Sequence, residues 1–132
     1  MSTQHHRDRG GYEDEAGYSR AVRRGRRIEV SGTTVSGDPL GGPEETLRQT
    51  RESIARALGA VEALGGTVTD VLRSTLYLAP TADWRAAAQA HRELLGDVAP
   101  ANTTLYVAML LGDGAVVEVE LSAEVDDDGR AE

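Results

Sequence analysis

Two carboxylates, Glu118 and Glu120, stand two residues apart inside a run that alternates with Val117, Val119 and Leu121. Strand interiors disfavour glutamate, so each needs a reason to be there. A carboxylate held at a reacting atom can take a proton from water and pass it to a leaving amine. The plain alternative is a carboxylate hydrogen-bonded across an interface. Glu118 is read as the acid–base candidate and Glu120 as structural. Competitors are few. The chain has no Cys and no Lys, which removes thiolate nucleophiles, Schiff-base amines and Cys-ligated zinc. His91 falls on the apolar stripe of a helix, where a satisfied core or rim histidine outweighs a catalytic base. His5-His6 and Glu13-Asp14-Glu15 carry metal-binding groups, but nothing fixes their geometry and no metal site is assigned. Tyr18 is a candidate for capping a cleft, evenly balanced against an ordinary strand tyrosine. Ser31-Gly32 offers a hydroxyl and a backbone N–H to an anion or carbonyl, a weak signal as a bare dipeptide.

The elements that must position these residues follow from periodicity. Tyr18 to Val22 and Arg27 to Thr33 read as two strands joined by the turn Arg24-Gly25-Arg26. Val35 to Gly42 reads as a Gly- and Pro-rich loop. A helix starts at Pro43, where a missing N–H costs nothing, with Glu44 and Glu45 at the positive end of its dipole. Leu47, Ile54, Leu58, Val61 and Leu64 form its expected stripe, and Gly65-Gly66 ends it. Val71 to Leu78 is a strand with Leu72, Leu76 and Leu78 on one face. A second helix, capped by Thr81 or Asp83, runs to Gly96 with Trp84, Ala87, Ala88 and His91 as its stripe. Asn102 to Leu111 and Ala115 to Val125 are the last strands, with Gly112-Asp113-Gly114 as a hairpin turn signal between them. Asn102 and Thr104 are expected on the polar face with Glu118, where they would read a neutral carbonyl or amide. The order ββαβαββ implies an α+β two-layer sandwich, two helices covering one face of the sheet.

Composition bounds the rest. The chain has 132 residues, enough for one domain. Residues 1–15 are expected to be a flexible leader, 16–125 the domain, and 126–132 an acidic tail. Lys plus Arg is 14 and Asp plus Glu is 22, for a net charge of −8. Every cation is Arg. The cluster from Arg20 to Arg27 lacks interleaved aromatics on an acidic chain, so no nucleic-acid partner is expected. Arg20 itself reads as a solvated strand residue. No apolar run approaches a membrane span, and the polar N-terminus lacks a secretory signal, so the expected location is cytoplasmic with no membrane partner.

Several segments together resemble one family: Gly17 to Val22, Val30-Ser31-Gly32-Thr33, Gln49-Thr50, Asp70 to Leu78, Pro100-Ala101 with Thr103, and Val117-Glu118-Val119-Glu120. Their order and spacing resemble the Rid family of reactive intermediate/imine deaminases, also called YjgF-like, over residues 16–125. The resemblance implies a chorismate-mutase-like fold with a mixed sheet and a homotrimer with ligand clefts between subunits. It also implies hydrolysis of reactive enamines and imines without cofactor or metal. The family's deaminases anchor the substrate carboxylate with an Arg just after Pro-Ala. Here that position is Asn102, and a neutral amide cannot replace a bidentate guanidinium. The family's helix-borne Asn falls on Ala88. What the resemblance leaves is Glu118 with Tyr18, Ser31 and Gly32, and Arg20 or His91 as possible substitutes for the lost Arg. Two functions stay open: an imine or enamine hydrolase acting on a small metabolite, and a non-catalytic ligand-binding or regulatory trimer using the same cleft. Ribonuclease activity is a third, disfavoured by the acidic chain and the lack of a His pair.

Overall fold

The computed structural model describes residues 2–126. Its elements are β1 (Thr3–His6), α1 (Glu13–Ala16), β2 (Ala21–Arg24), β3 (Arg27–Thr33), α2 (Gly42–Ala63), β4 (Val71–Leu78), α3 (Trp84–Leu95), β5 (Ala101–Tyr106) and β6 (Val117–Glu124). One six-stranded sheet runs β1-β2-β3-β6-β4-β5. Only β4 and β5 are parallel; every other pair is antiparallel. The ββαβαββ sandwich is present, with one strand and one helical turn added before it.

Those additions correct the expected leader. Thr3–His6 pairs with β2 along its length. Glu13 is buried, its Oε1 accepting the N–H of Arg20 at 3.0 Å. Asp8 accepts from Arg56 Nε at 2.9 Å and lies 3.7 Å from Arg20 Nε. Thr3–His6, Asp8 and Glu13 therefore pack on the domain. The polar composition that suggested a loose segment is absorbed in ion pairs. The acidic tail lies outside the described residues save for Asp126.

Helix α2 starts with Pro43 in its first turn as expected, and it buries Ile54, Ala57, Ala60 and Val61. Its first half turns a polar face inward instead of Leu47: Thr46, Gln49, Thr50 and Ser53 are all buried. Hydroxyl-to-carbonyl bonds within the helix satisfy Thr46 and Thr50. Gln49 donates to the Gly114 carbonyl at 3.0 Å and accepts from Val116 N–H at 2.8 Å. A buried amide that satisfies two loop backbone groups offsets its own desolvation.

Gln49 thus holds the segment between β5 and β6, which is not a hairpin. Strand β6 runs between β3 and β4, while β5 takes the sheet edge beyond β4. The cause is burial: Val117, Val119, Leu121 and Ala123 form a fully apolar face that needs a central position, whereas all of β5 is exposed. Gly114 serves the crossing: at φ +71, a Cβ there would meet the Gly37 carbonyl oxygen at 1.7 Å.

Strand β4 keeps its expected limits but carries a bulge between Val71 and Arg73 against β6. The slip puts Val71 in the core and leaves Leu72 exposed, reversing the expected face at that end. Helix α3 is capped by Asp83, whose Oδ1 accepts from Ala86 N–H at 2.9 Å. It buries Ala86, Ala87, Ala90 and Leu95, while Trp84 and Ala88 are exposed rather than in the core. Among the described residues no helix is long and apolar enough to cross a membrane.

Candidate functional site

The candidate residues fall into two clusters on opposite faces of the sheet. The first surrounds Glu118. Strand register places Glu118 beside Tyr77 and Glu120 beside Thr75, on the face away from the helices, as the alternation predicted. On the other side β3 bulges: Val30 pairs with Leu121 and Thr33 with Val119, so three steps on β3 match two on β6. The extra residue falls at Ser31-Gly32. Gly32 leaves room that Glu118 fills: a Cβ built there would lie 2.0 Å from Glu118 Oε2. Bulges re-aim side chains next to functional sites, and here one lets a carboxylate lie against backbone.

Around this contact stand Arg20, Tyr18 and Ser31. Arg20 is not solvated; it is 2% exposed. Its guanidinium donates to the Gly32 carbonyl and to Thr33 Oγ1. Its Nη2 lies 3.5 Å from the Tyr18 hydroxyl, which also accepts from Tyr12 N–H at 3.2 Å. The guanidinium carbon lies 5.6 Å from the Tyr18 ring centre. Ser31 Oγ donates to the Ser19 carbonyl at 2.7 Å, so this hydroxyl is committed to backbone. Burial pushes the Glu118 carboxyl above its ordinary range, the negative Glu120 adds to the rise, and Arg20 opposes both. Glu120 accepts from the Tyr77 hydroxyl at 2.7 Å, and that bond raises the Tyr77 phenol further. Among the described residues no side-chain donor is bonded to Glu118, whereas Glu120 is tied to a tyrosine.

The second cluster holds Asn102 and Thr104, which do not share Glu118's face. Asn102 pairs with Ser74 and Thr104 with Leu76, and both β4 residues face the helices. Asn102 Nδ2 donates to Ser74 Oγ at 3.0 Å, and Thr104 Oγ1 donates to Asn102 Oδ1 at 2.9 Å. Ser74 Oγ also lies 2.7 Å from His91 Nε2 on α3. Burial lowers the His91 pKa, favouring the neutral ring that can accept from Ser74. His91 is therefore a half-buried partner of a buried hydroxyl, not a free base. Asn102 and Thr104 open on a cavity of about 380 Å³ walled by Trp84, Ala88, Leu78, Leu105 and Tyr106.

Sequence reasoning considered Arg20 but favoured a solvated residue, and it missed Ser74. The Arg20 signal was present: an Arg directly after Tyr18-Ser19 on an alternating strand points to one face with Val22, but only the bulge aims it at Gly32. Ser74 carried no signal. Two of the five arginines in the Arg20–Arg27 cluster are withdrawn from the surface, since Arg23 is also buried and donates to the Leu64 carbonyl at 2.8 Å, while Arg24, Arg26 and Arg27 are exposed. Among the described residues no group of three or more His, Cys, Asp or Glu is placed to hold a metal. His5 instead contacts Ser19 Oγ at 3.1 Å.

Comparison with known proteins agrees with this architecture. The sequence profile described as Endoribonuclease L-PSP matches residues 12–125. An uncharacterized protein of Streptomyces coelicolor is 34% identical over 113 residues, covering 85% of this chain and 84% of its own. A RutC family protein of Pyrococcus horikoshii is 28% identical over 109 residues, covering 80% of this chain and 85% of its own. A crystal structure of a Mycobacterium tuberculosis member of the YjgF/YER057c/UK114 family superposes with a TM-score of 0.84 at 33% identity, covering 94% of this chain and all of that one.

Proposed function

Since this chain belongs to the endoribonuclease L-PSP family, the YjgF/YER057c/UK114 group, we propose that it is a small-molecule enzyme that hydrolyses an imine or enamine, or catalyses a closely related step. The site is a cleft between subunits of a homotrimer. The Glu118 cluster of one subunit faces the Trp84 pocket of the next. The observation that carries the reading is the Glu118 carboxylate, half-buried over Gly32 with Tyr18 and Arg20 beside it. The two clusters lie on opposite faces of one sheet, so a single chain cannot close both around one ligand.

In this mechanism Glu118 accepts a proton from water as the oxygen adds to the imine carbon. It returns that proton to nitrogen, giving a carbinolamine; as the carbon–nitrogen bond then breaks, the proton of the added hydroxyl passes through Glu118 to the departing nitrogen, leaving a carbonyl compound and ammonia. A carboxyl raised by burial is suited to both steps, because its proton affinity lies nearer to neutral pH than that of a free carboxylate. Tyr18 orients the polar end of the substrate, and the Ser31-Gly32 backbone lines the floor. The mechanism uses no cofactor and no metal.

RNA cleavage, named in the family description, competes with this reading. The net charge of −8 and the burial of Arg20 and Arg23 speak against a phosphate-binding groove. Binding without catalysis is the second reading, favoured by Asn102 following Pro100-Ala101, where the resemblance implies an anchoring Arg.

An amino-acid oxidase or threonine dehydratase coupled to the protein supplies imines for the test. Turnover that falls about 10²–10⁴-fold in Glu118→Gln, with the trimer intact by sedimentation equilibrium, supports the assignment. Full activity in that variant refutes it. A monomer at micromolar concentration refutes the shared cleft.

A further inference from the structure

We propose that the Trp84 pocket takes an uncharged planar group bearing an N–H donor and turns away a carboxylate. This rests on reading the cleft as a small-molecule site, and it names the class of ligand.

The argument is an account of protons. Asn102 Nδ2 lies 3.0 Å from Ser74 Oγ and 3.4 Å from the Ser74 carbonyl oxygen. A carbonyl oxygen only accepts, so the amide nitrogen faces Ser74 and the amide oxygen faces Thr104. Thr104 therefore spends its proton on Asn102 Oδ1. Tyr106 spends its proton on the Ala82 carbonyl at 2.8 Å. Ser74, accepting from Asn102, directs its own proton to His91 Nε2. The Thr104 and Tyr106 hydroxyls at the pocket thus present lone pairs to a ligand, and their protons are already bonded to protein.

Hydroxyls that offer lone pairs repel a carboxylate and suit an N–H, and the indole N–H of Trp84 is a donor on the same wall. The walls agree: Trp84, Tyr106, Leu78 and Leu105 are aromatic or aliphatic, and no lining residue is charged. Trp84 and Tyr106 are each about half exposed, at 47% and 49%, so their rings are open to a planar group. The Arg85 guanidinium is stacked on Trp84 with its carbon 4.6 Å from the ring centre.

Trp84 is the sole tryptophan of the chain, so its emission reports on this pocket directly. Benzamide and benzoate are near-isosteric probes that differ in charge and in the N–H donor. Titration of the full-length protein is expected to show benzamide binding at least about 10-fold more tightly than benzoate. Thr104→Val removes the acceptor and should weaken benzamide by about the same factor. Asn102→Arg should reverse the preference toward benzoate. Benzoate binding as tightly as benzamide to the unaltered protein overturns the inference, as does a Trp84 emission that neither probe changes. A benzoate preference abolished by Arg85→Ala would show a rim cation dictating selectivity, and also overturns it. None of these readouts needs turnover. A protein inactive on imines yet selective for benzamide defeats the catalytic reading alone; one that hydrolyses imines yet prefers benzoate defeats this inference alone.

Discussion

The Glu118 cluster and the Trp84 pocket use hydrogen bonding in opposite ways. Around Glu118, a buried cation, a strand bulge and a glycine combine to hold one carboxylate with no side-chain donor on it. Around Asn102, the amide and hydroxyl protons are placed on protein acceptors, and the residues lining the space left to a ligand are uncharged. The first arrangement keeps a group reactive at some cost in stability. The second fixes side chains and selects by shape and polarity. The contrast teaches that burial alone does not mark chemistry. Ser74 is more buried than Glu118, yet Ser74 is fully bonded and Glu118 is the group whose proton affinity is displaced.

The largest effect is expected from removing the cation on the Glu118 side. Arg20 is buried against Asp8, the Gly32 carbonyl and Thr33. Asp8 would rise on burial alone, but bonds from Arg56 and from Gly10 N–H hold it well below the usual carboxylate range. Taking one partner from a buried charge cluster costs about 3–5 kcal/mol. Arg20→Met should lose that much by urea denaturation, while Arg24→Met, on an exposed side chain at the end of β2, should change stability by about 0.5 kcal/mol or less. Equal effects would show that the Arg20 cluster stabilises nothing.

Gly32→Ala comes next. The new methyl would displace the end of a flexible glutamate, not backbone, so stability should change little while the carboxylate leaves its place. Turnover should fall roughly 10- to 100-fold, since a small misplacement at the reacting atoms costs about that much. Unchanged turnover with an unchanged Tm would separate the carboxylate's position from its function.

Some of this was legible in the residues and some was not, and strand register divides the two. Arg27–Thr33 and Val71–Leu78 carry β-branched alternation bounded by turn residues, and both strands have the expected limits. The face of Glu118 was legible because β6 alternates cleanly and its apolar side must be buried. Asn102 and Thr104 were assigned to the wrong face because β5 is an edge strand. With both faces exposed, alternation there shows that residues differ in face and leaves open which face each takes. That choice comes from pairing with Ser74, 28 residues away along the chain. Leu72 was misplaced by the β4 bulge, and the β3 bulge that aims Ser31-Gly32 was equally invisible, since one extra residue in a ladder leaves no mark in composition. The central place of β6 is a long-range choice, made by four buried apolar side chains competing against a local turn signal.

A smaller effect bears on stability and pH. The folded-state pKa of Glu118 is raised above its unfolded value, so the protonated form favours the fold. That contribution is fully present below the unfolded pKa and is lost as pH rises through the folded one. Glu118→Gln imitates the protonated form. Its Tm should match that of the unaltered protein below about pH 4 and exceed it by about 2–4 °C at pH 7. A Tm difference that is constant with pH would remove ionisation as its cause.

Glu120→Gln should do least, and it sharpens the comparison between the two glutamates. Glu120 lies on the same face of the same strand, but its carboxylate is engaged by the Tyr77 hydroxyl at 2.7 Å. Glutamine keeps an oxygen for that bond, so the ladder and the fold should be unaffected. The negative charge is what disappears, and it acts on two neighbours. The bond to Glu120 is the main reason that the Tyr77 phenol is raised, so its pKa should move back toward 10. Glu120 also adds to the rise at Glu118, so the acidic limb of the pH–rate profile should move to lower pH. The groups facing Glu118 are Glu120 on its own strand, Tyr77 from β4, and Arg20 and Tyr18 just before β2. Of these, Glu120 is the sole carboxylate, which makes the direction of the shift unambiguous. Plateau turnover should stay within about twofold, because the group that moves the proton is untouched. A loss as deep as that of Glu118→Gln would mean that the two carboxylates work as a pair, and the division of labour between them would have to be redrawn.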